Sequence, residues 1–253
     1  MLIKELKKIR KLISVKFLTY LNLLMLSMFI FKESNKTNFF DFYFNTSLDL
    51  YNVILFFNIL TYVIIGEILS EEYKKGPLDY QVIKYKNIVK VISNKLLATF
   101  IFVLIFLSFD ILIIFCFGIQ KNLEPYQIFD ASGLVILNDS IVLNSWLRFG
   151  LYNIDLLFGI AMTVILSGLV ATFSNNKITS ILGSFIANMF LTYPIPGLSN
   201  TRSIIFYRVP IINVYLEIYD YIKYFQTYFS IYIFDLLIGL IIIILLWRKK
   251  YEL

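Results

Sequence analysis

Apolar residues in this chain do not alternate with polar ones on a strand-like period. They come in blocks near the length of about 20 residues that crosses roughly 30 Å of hydrocarbon at about 1.5 Å per residue. Six such blocks predict six spans, roughly 13–31, 51–70, 96–119, 149–173, 178–193 and 229–247. The expected fold class is all-α, one polytopic transmembrane domain over residues 1–253. The fifth block is short and is broken by Tyr193-Pro194-Ile195-Pro196-Gly197. The apolar patches that follow, Ser203–Tyr207 and Val209–Leu216, are split by Arg208 and Pro210. Neither patch is long enough to span, so they read as short re-entrant or interfacial helices, against the plainer reading of an external loop.

Two further segments follow a helical period with one polar side. Near the N-terminus Leu2, Leu6, Ile9 and Ile13 share a face, with charges opposite, which predicts an amphipathic helix in the membrane plane with its lysines towards anionic headgroups. The plainer reading is a basic terminus that only sets orientation. Between spans two and three, Leu78, Val82, Tyr85, Val89 and Ile92 recur at helical spacing after Gly76-Pro77, and Pro77 suits the first turn of a helix. Such a half-apolar helix offers a surface to a cytosolic protein; a solvated, lipid-facing loop is the plainer alternative.

Composition narrows the class. The 253 residues are 59% hydrophobic and 16% charged, against about 45–50% and about 25% in an ordinary soluble domain. A water-soluble surface cannot be built from this. Histidine is absent and Cys116 is the sole cysteine, which removes Ser-His-Asp, Cys-His and His-based zinc chemistry, an internal disulfide and a cysteine metal site. No metal or cofactor is expected in the chain, and no GxxxxGK[ST] phosphate loop is present, so ATP, if used, is bound by another polypeptide. The basic, then long apolar start has no small-residue cleavage site and reads as retained. Trp247 and Trp146 fall where interfacial rings are expected.

Charge sets an orientation. Sixteen of the 23 basic residues fall in the N-terminal segment, the 71–95 segment, at Lys177 and at the C-terminus, while seven fall on the alternate loops. This bias places both termini and residues 71–95 in the cytoplasm. Four carboxylates fall inside the blocks: Glu67, Asp110, Asp155 and Asp235. An ionised group in hydrocarbon is costly, so each is expected to face the bundle interior, an aqueous route or a partner, with structural pairing as the alternative. Asn22, Ser27, Asn58, Thr61 and Asn188 are candidate interhelical hydrogen-bonding groups, and Gly183 with Ala187 a small-xxx-small packing pair.

The order of elements resembles the membrane subunit of an ABC-2 type transporter. The resemblance rests on Glu71, Glu72 and Gly76 after span two, the amphipathic run Leu78–Ile92, and Lys95 opening span three. The proline-containing region Pro194–Tyr228 and the amphipathic N-terminus are further points of similarity. Pro77 and the Asn87–Asn94 stretch depart from the usual pattern. The resemblance implies a permease in a bacterial plasma membrane, paired with a second identical or homologous permease subunit and two cytosolic ATP-binding subunits that hold ATP and magnesium. Residues 76–92 would then be a coupling helix on the ATPase, involving Glu71, Glu72, Gly76, Leu78, Val82, Tyr85, Val89 and Lys95. The small size is similar to exporters of antimicrobial or cytolytic peptides. Scarce alanine beside abundant Ile, Lys, Asn, Phe and Tyr suggests an AT-rich bacterial genome. A non-transporting scaffold or immunity protein that sequesters its ligand is the main alternative, and an intramembrane enzyme a more distant one. Membrane lipids are expected partners and nucleic acid is not.

Overall fold

A computed structural model describes residues 1–32, 51–120, 145–174, 176–192 and 218–252. Among them the regular structure is all helical: α1 (Leu2–Lys11), α2 (Ile13–Lys32), α3 (Tyr51–Ile65) running into a π-helical stretch (Gly66–Glu71), α4 (Glu72–Lys75), α5 (Pro77–Tyr85), α6 (Ile88–Gln120), α7 (Ser145–Phe173), α8 (Lys177–Thr192) and α9 (Ile218–Glu252). Three helical segments are long and apolar enough to cross a membrane: Ile13–Lys32, Ile88–Gly118 and Leu156–Phe173. The protein is a membrane protein. The expected spans at 51–70, 178–193 and 229–247 are helices as well, but α8 has 16 residues and reaches only about 24 Å.

α7 is the centre. It packs on α3, α6, α8 and α9, and every residue from Met162 to Gly168 is buried, so this stretch is enclosed on all sides. α2 lies at the edge, packed chiefly on α3, with Phe17, Tyr20, Leu24, Met28 and Phe31 exposed. That apolar exposure is what a lipid-facing helix presents. Gly183 lets α7 and α8 approach closely, because a Cβ there would meet Val170 Cγ1 at 2.8 Å. Gly183 of the expected small-residue pair therefore marks a real helix contact.

The expected continuous helix over 78–92 is corrected. Gly76 takes φ +87°, a left-handed conformation that glycine adopts without penalty, and its N–H donates to Tyr73 O, ending α4. Pro77 then opens α5. Lys86 is also left-handed, at φ 49°, and closes α5 after Tyr85. Asn87 begins α6, its Oδ1 accepting from Lys90 N at 3.0 Å, the capping role for which asparagine is favoured. Val89 and Ile92 consequently belong to α6, which at 33 residues extends about 50 Å and begins before the span expected at 96.

At the other end of the chain, residues 218–228, counted by sequence in the proline-containing region before the last span, are helical and continuous with that span. The patches Ser203–Tyr207 and Val209–Leu216, and the side chains of Trp146 and Asp155, lie outside the described residues.

Candidate functional site

Among the described residues, ion pairs collect at one end of the bundle. α1 begins with Glu5 in its first turn and ends with Lys8, Arg10 and Lys11, an order that complements its dipole. It packs along the start of α6, burying Ile9 and Glu5. On α6, Lys95 is 0% exposed. Its Nζ donates to Glu5 Oε2 at 3.2 Å and to Glu72 Oε2 at 3.0 Å. Glu72 also accepts from Lys8 Nζ at 2.5 Å and from Gln81 Nε2 at 3.3 Å. Two carboxylates and two ammonium groups thus balance, and four elements (α1, α4, α5 and α6) meet on the Glu72 side chain.

The π-helical stretch carries Glu67 and leads directly into Glu72. Glu67 Oε1 accepts from Lys177 Nζ of α8 and from Ser14 Oγ of α2. Glu71 turns instead to Lys75, at 2.8 Å and exposed. That hydrogen bond holds the Glu71 carboxyl below its usual range, and the same contact raises Lys75.

The C-terminal end of α9 closes the same end of the bundle. Trp247 is fully buried, edge-on to Tyr73 with centroids 5.5 Å apart; it is a core side chain, not the interfacial ring expected from sequence. Lys250 lies 4.2 Å from the Tyr73 centroid and 4.8 Å from that of Trp247, and donates to Thr172 O at 2.8 Å. Burial lowers its affinity for a proton. Tyr251 donates to Asp79 of α5; burial first, then that hydrogen bond, pushes its hydroxyl well above the usual tyrosine range.

These contacts gather the N-terminus, residues 66–95, Lys177 and the C-terminal turn of α9. No family model, no curated protein and no solved structure matches this chain.

Of the sequence-predicted coupling residues, Glu72 and Lys95 are joined directly, while Gly76 and Glu71 shape the approach to α5. Leu78 is fully buried, and Val82 and Tyr85 pack half-buried on the core. The part of the expected apolar face that lies on α5 is therefore turned inward, while Val89, at the start of α6, is exposed. The large apolar side chains α5 presents outward are Tyr80 and Ile83, 66% and 73% exposed. Glu5, Lys8 and Gln81 escaped sequence reading because the contacts of Glu5 and Lys8 cross 90 and 64 positions.

Deeper in the bundle, Asp110 is 1% exposed and accepts from Asn22 Nδ2 at 2.7 Å. Asp235 is likewise buried. Asn58 Oδ1 accepts from Thr163 Oγ1 at 3.0 Å, tying α3 to α7. Ser27 and Thr61 bond back to Leu24 O and Phe57 O of their own helices, so these two are not the interhelical groups expected. Among the described residues no three His, Cys, Asp or Glu side chains are placed to hold a metal.

Proposed function

We propose that the chain is a six-span permease subunit of an ATP-driven exporter of the ABC-2 type, seated in a bacterial plasma membrane with both termini cytoplasmic. It works beside a second identical or homologous permease subunit and two cytosolic ATP-binding subunits, which carry the ATP and magnesium chemistry. It forms the route for an amphipathic or lipid-like substrate, antimicrobial or cytolytic peptides among them.

The observation that supports this reading is the placement of α5. The helix sits at the end where the basic segments gather, outside the long apolar helices, with Tyr80 and Ile83 outward. In this reading Tyr80 and Ile83 meet the ATPase. Leu78, Val82 and Tyr85 fix α5 to the permease, and a push on α5 passes through Glu72 to Lys95 and into α6. A scaffold that sequesters its ligand needs no such outward helix.

The test is purification of the tagged chain from its native membrane in mild detergent. A co-eluting subunit with a GxxxxGK[ST] loop and ATP turnover is expected. The double variant Tyr80→Asp, Ile83→Asp should release it while the permease stays in the membrane. Two large apolar contacts, each worth about 1.5–3 kcal/mol when fully buried, correspond to several decades of affinity. An ATPase retained by the double variant would overturn the docking role of α5, and a chain that never brings down an ATPase would overturn the exporter itself.

A further inference from the structure

The Asn22–Asp110 contact leaves an imbalance of donors. Asn22 Nδ2 donates to Asp110 Oδ2 at 2.7 Å, and both side chains are 1% exposed. Among the described residues Asp110 Oδ1 and Asn22 Oδ1 have no partner. Both leftover atoms are acceptors, since an amide oxygen and a carboxylate oxygen each offer only lone pairs. A buried polar atom without a hydrogen bond is costly, and here two are left together at one contact.

Among the described residues no cation pairs with Asp110. Lys95 lies about 22 Å along α6 from Asp110, and Lys16 about 9 Å along α2 from Asn22, at about 1.5 Å per residue. α3, which packs on both helices, carries no acidic or basic residue between Tyr51 and Ile65. Of the other long helices packed on α6, α9 adds the buried acid Asp235 and no basic residue between Lys223 and Arg248, and α7 carries Asp155 and, near its start, Arg148.

One proton resolves the imbalance. We infer that Asn22 and Asp110 form a proton-binding site in which Asp110 is a neutral carboxylic acid, its Oδ1–H donating to Asn22 Oδ1 while Asn22 Nδ2–H donates to Asp110 Oδ2. The acid and the amide then each give and receive one hydrogen bond, and no net charge remains between α2 and α6. Parting α2 from α6 would expose an acid that releases its proton, so this helix contact is linked to proton uptake. The inference does not depend on the permease reading.

The experiment is infrared difference spectroscopy of the purified full chain at neutral pH, wild type minus Asp110→Asn. The Asn variant can form a reciprocal amide pair with Asn22 and so keeps the contact without the titrating group. Expected is a protonated carboxylic C=O stretch present in wild type, lost in Asp110→Asn, and shifted in deuterium oxide. Asn22→Leu, which leaves Asp110 in place, should move that band to higher frequency; it serves as the reading if Asp110→Asn does not fold. A difference containing only carboxylate stretches overturns the inference in favour of an ionised Asp110 held by water. Carboxylate bands that move when potassium replaces sodium overturn it in favour of a bound cation.

Discussion

At the basic end of the bundle, Glu5 and Glu72 share the enclosed Lys95, and Lys8 adds a second cation from a partly exposed position. At mid-helix, Asp110 has an amide and, among the described residues, no cation paired with it. Both places take carboxylates out of water, but the first balances charge with charge and the second can only balance hydrogen-bond donors with acceptors. The contrast matters for what each joint tolerates. A charge network fails badly when one member is removed, because the remaining ions stay buried without compensation. An acid–amide pair loses little more than its hydrogen bonds.

The largest expected effect is therefore at Lys95. Lys95→Met should cost about 3–5 kcal/mol, the usual penalty for orphaning a buried ion, measured by unfolding in detergent. That is a large part of an ordinary stability of about 5–15 kcal/mol. Adding Glu5→Gln and Glu72→Gln to the same variant should recover most of the loss, since the only cluster charge left without a partner would be Lys8, which is partly exposed to water. A triple variant as unstable as the single one would show that shape, not charge balance, holds the cluster. Next in size is Asn22→Ala, expected to cost about 1–3 kcal/mol by leaving Asp110 unmatched. A loss equal to that of Lys95→Met would erase the contrast.

The smallest effect belongs to the exposed pair. Glu71 is held below its usual carboxyl range by Lys75, so the pair stabilises above the unfolded carboxylate value and fades as pH falls through the lowered one. Lys75→Ala should leave the unfolding midpoint at pH 7 within experimental scatter and change only the acid limb of the stability profile. A shift at pH 7 approaching that of Asn22→Ala would mean the pair is less exposed than its 68% accessible lysine implies.

Hydropathy alone was enough to locate the long helices, because apolar blocks such as Ile13–Phe31 and Leu96–Ile119 have only one way to satisfy their backbone in lipid. Helix ends were harder to read. The break at Lys86 has no glycine or proline to announce it, although Asn87, like Asn176 before α8, is a residue type that caps helices. Amphipathic spacing in 78–92 correctly marked a face to be buried on α5 but not what buries it: periodicity states that Leu78 avoids water and is silent on whether its own chain or another covers it. The charge cluster was half visible. Glu72 and Lys95 stood out through the resemblance, whereas Glu5 read as one more charge on a basic helix, and only tertiary packing brings it to Lys95. The π-helical winding left no sign in Gly66–Glu71 that composition or period could register.

Full enclosure of Lys95 also decides how the joint responds to its medium. At physiological ionic strength the Debye length is about 8 Å, and dissolved ions weaken pairs they can approach. Counter-ions can approach Glu71 and Lys75 but not a Lys95 with no accessible surface. The Lys95 pairs that join α1, α4 and α6 are thus insulated from the surrounding electrolyte and keep their strength from dilute buffer to brine, while the partly exposed Lys8 and the exposed charges around them do not.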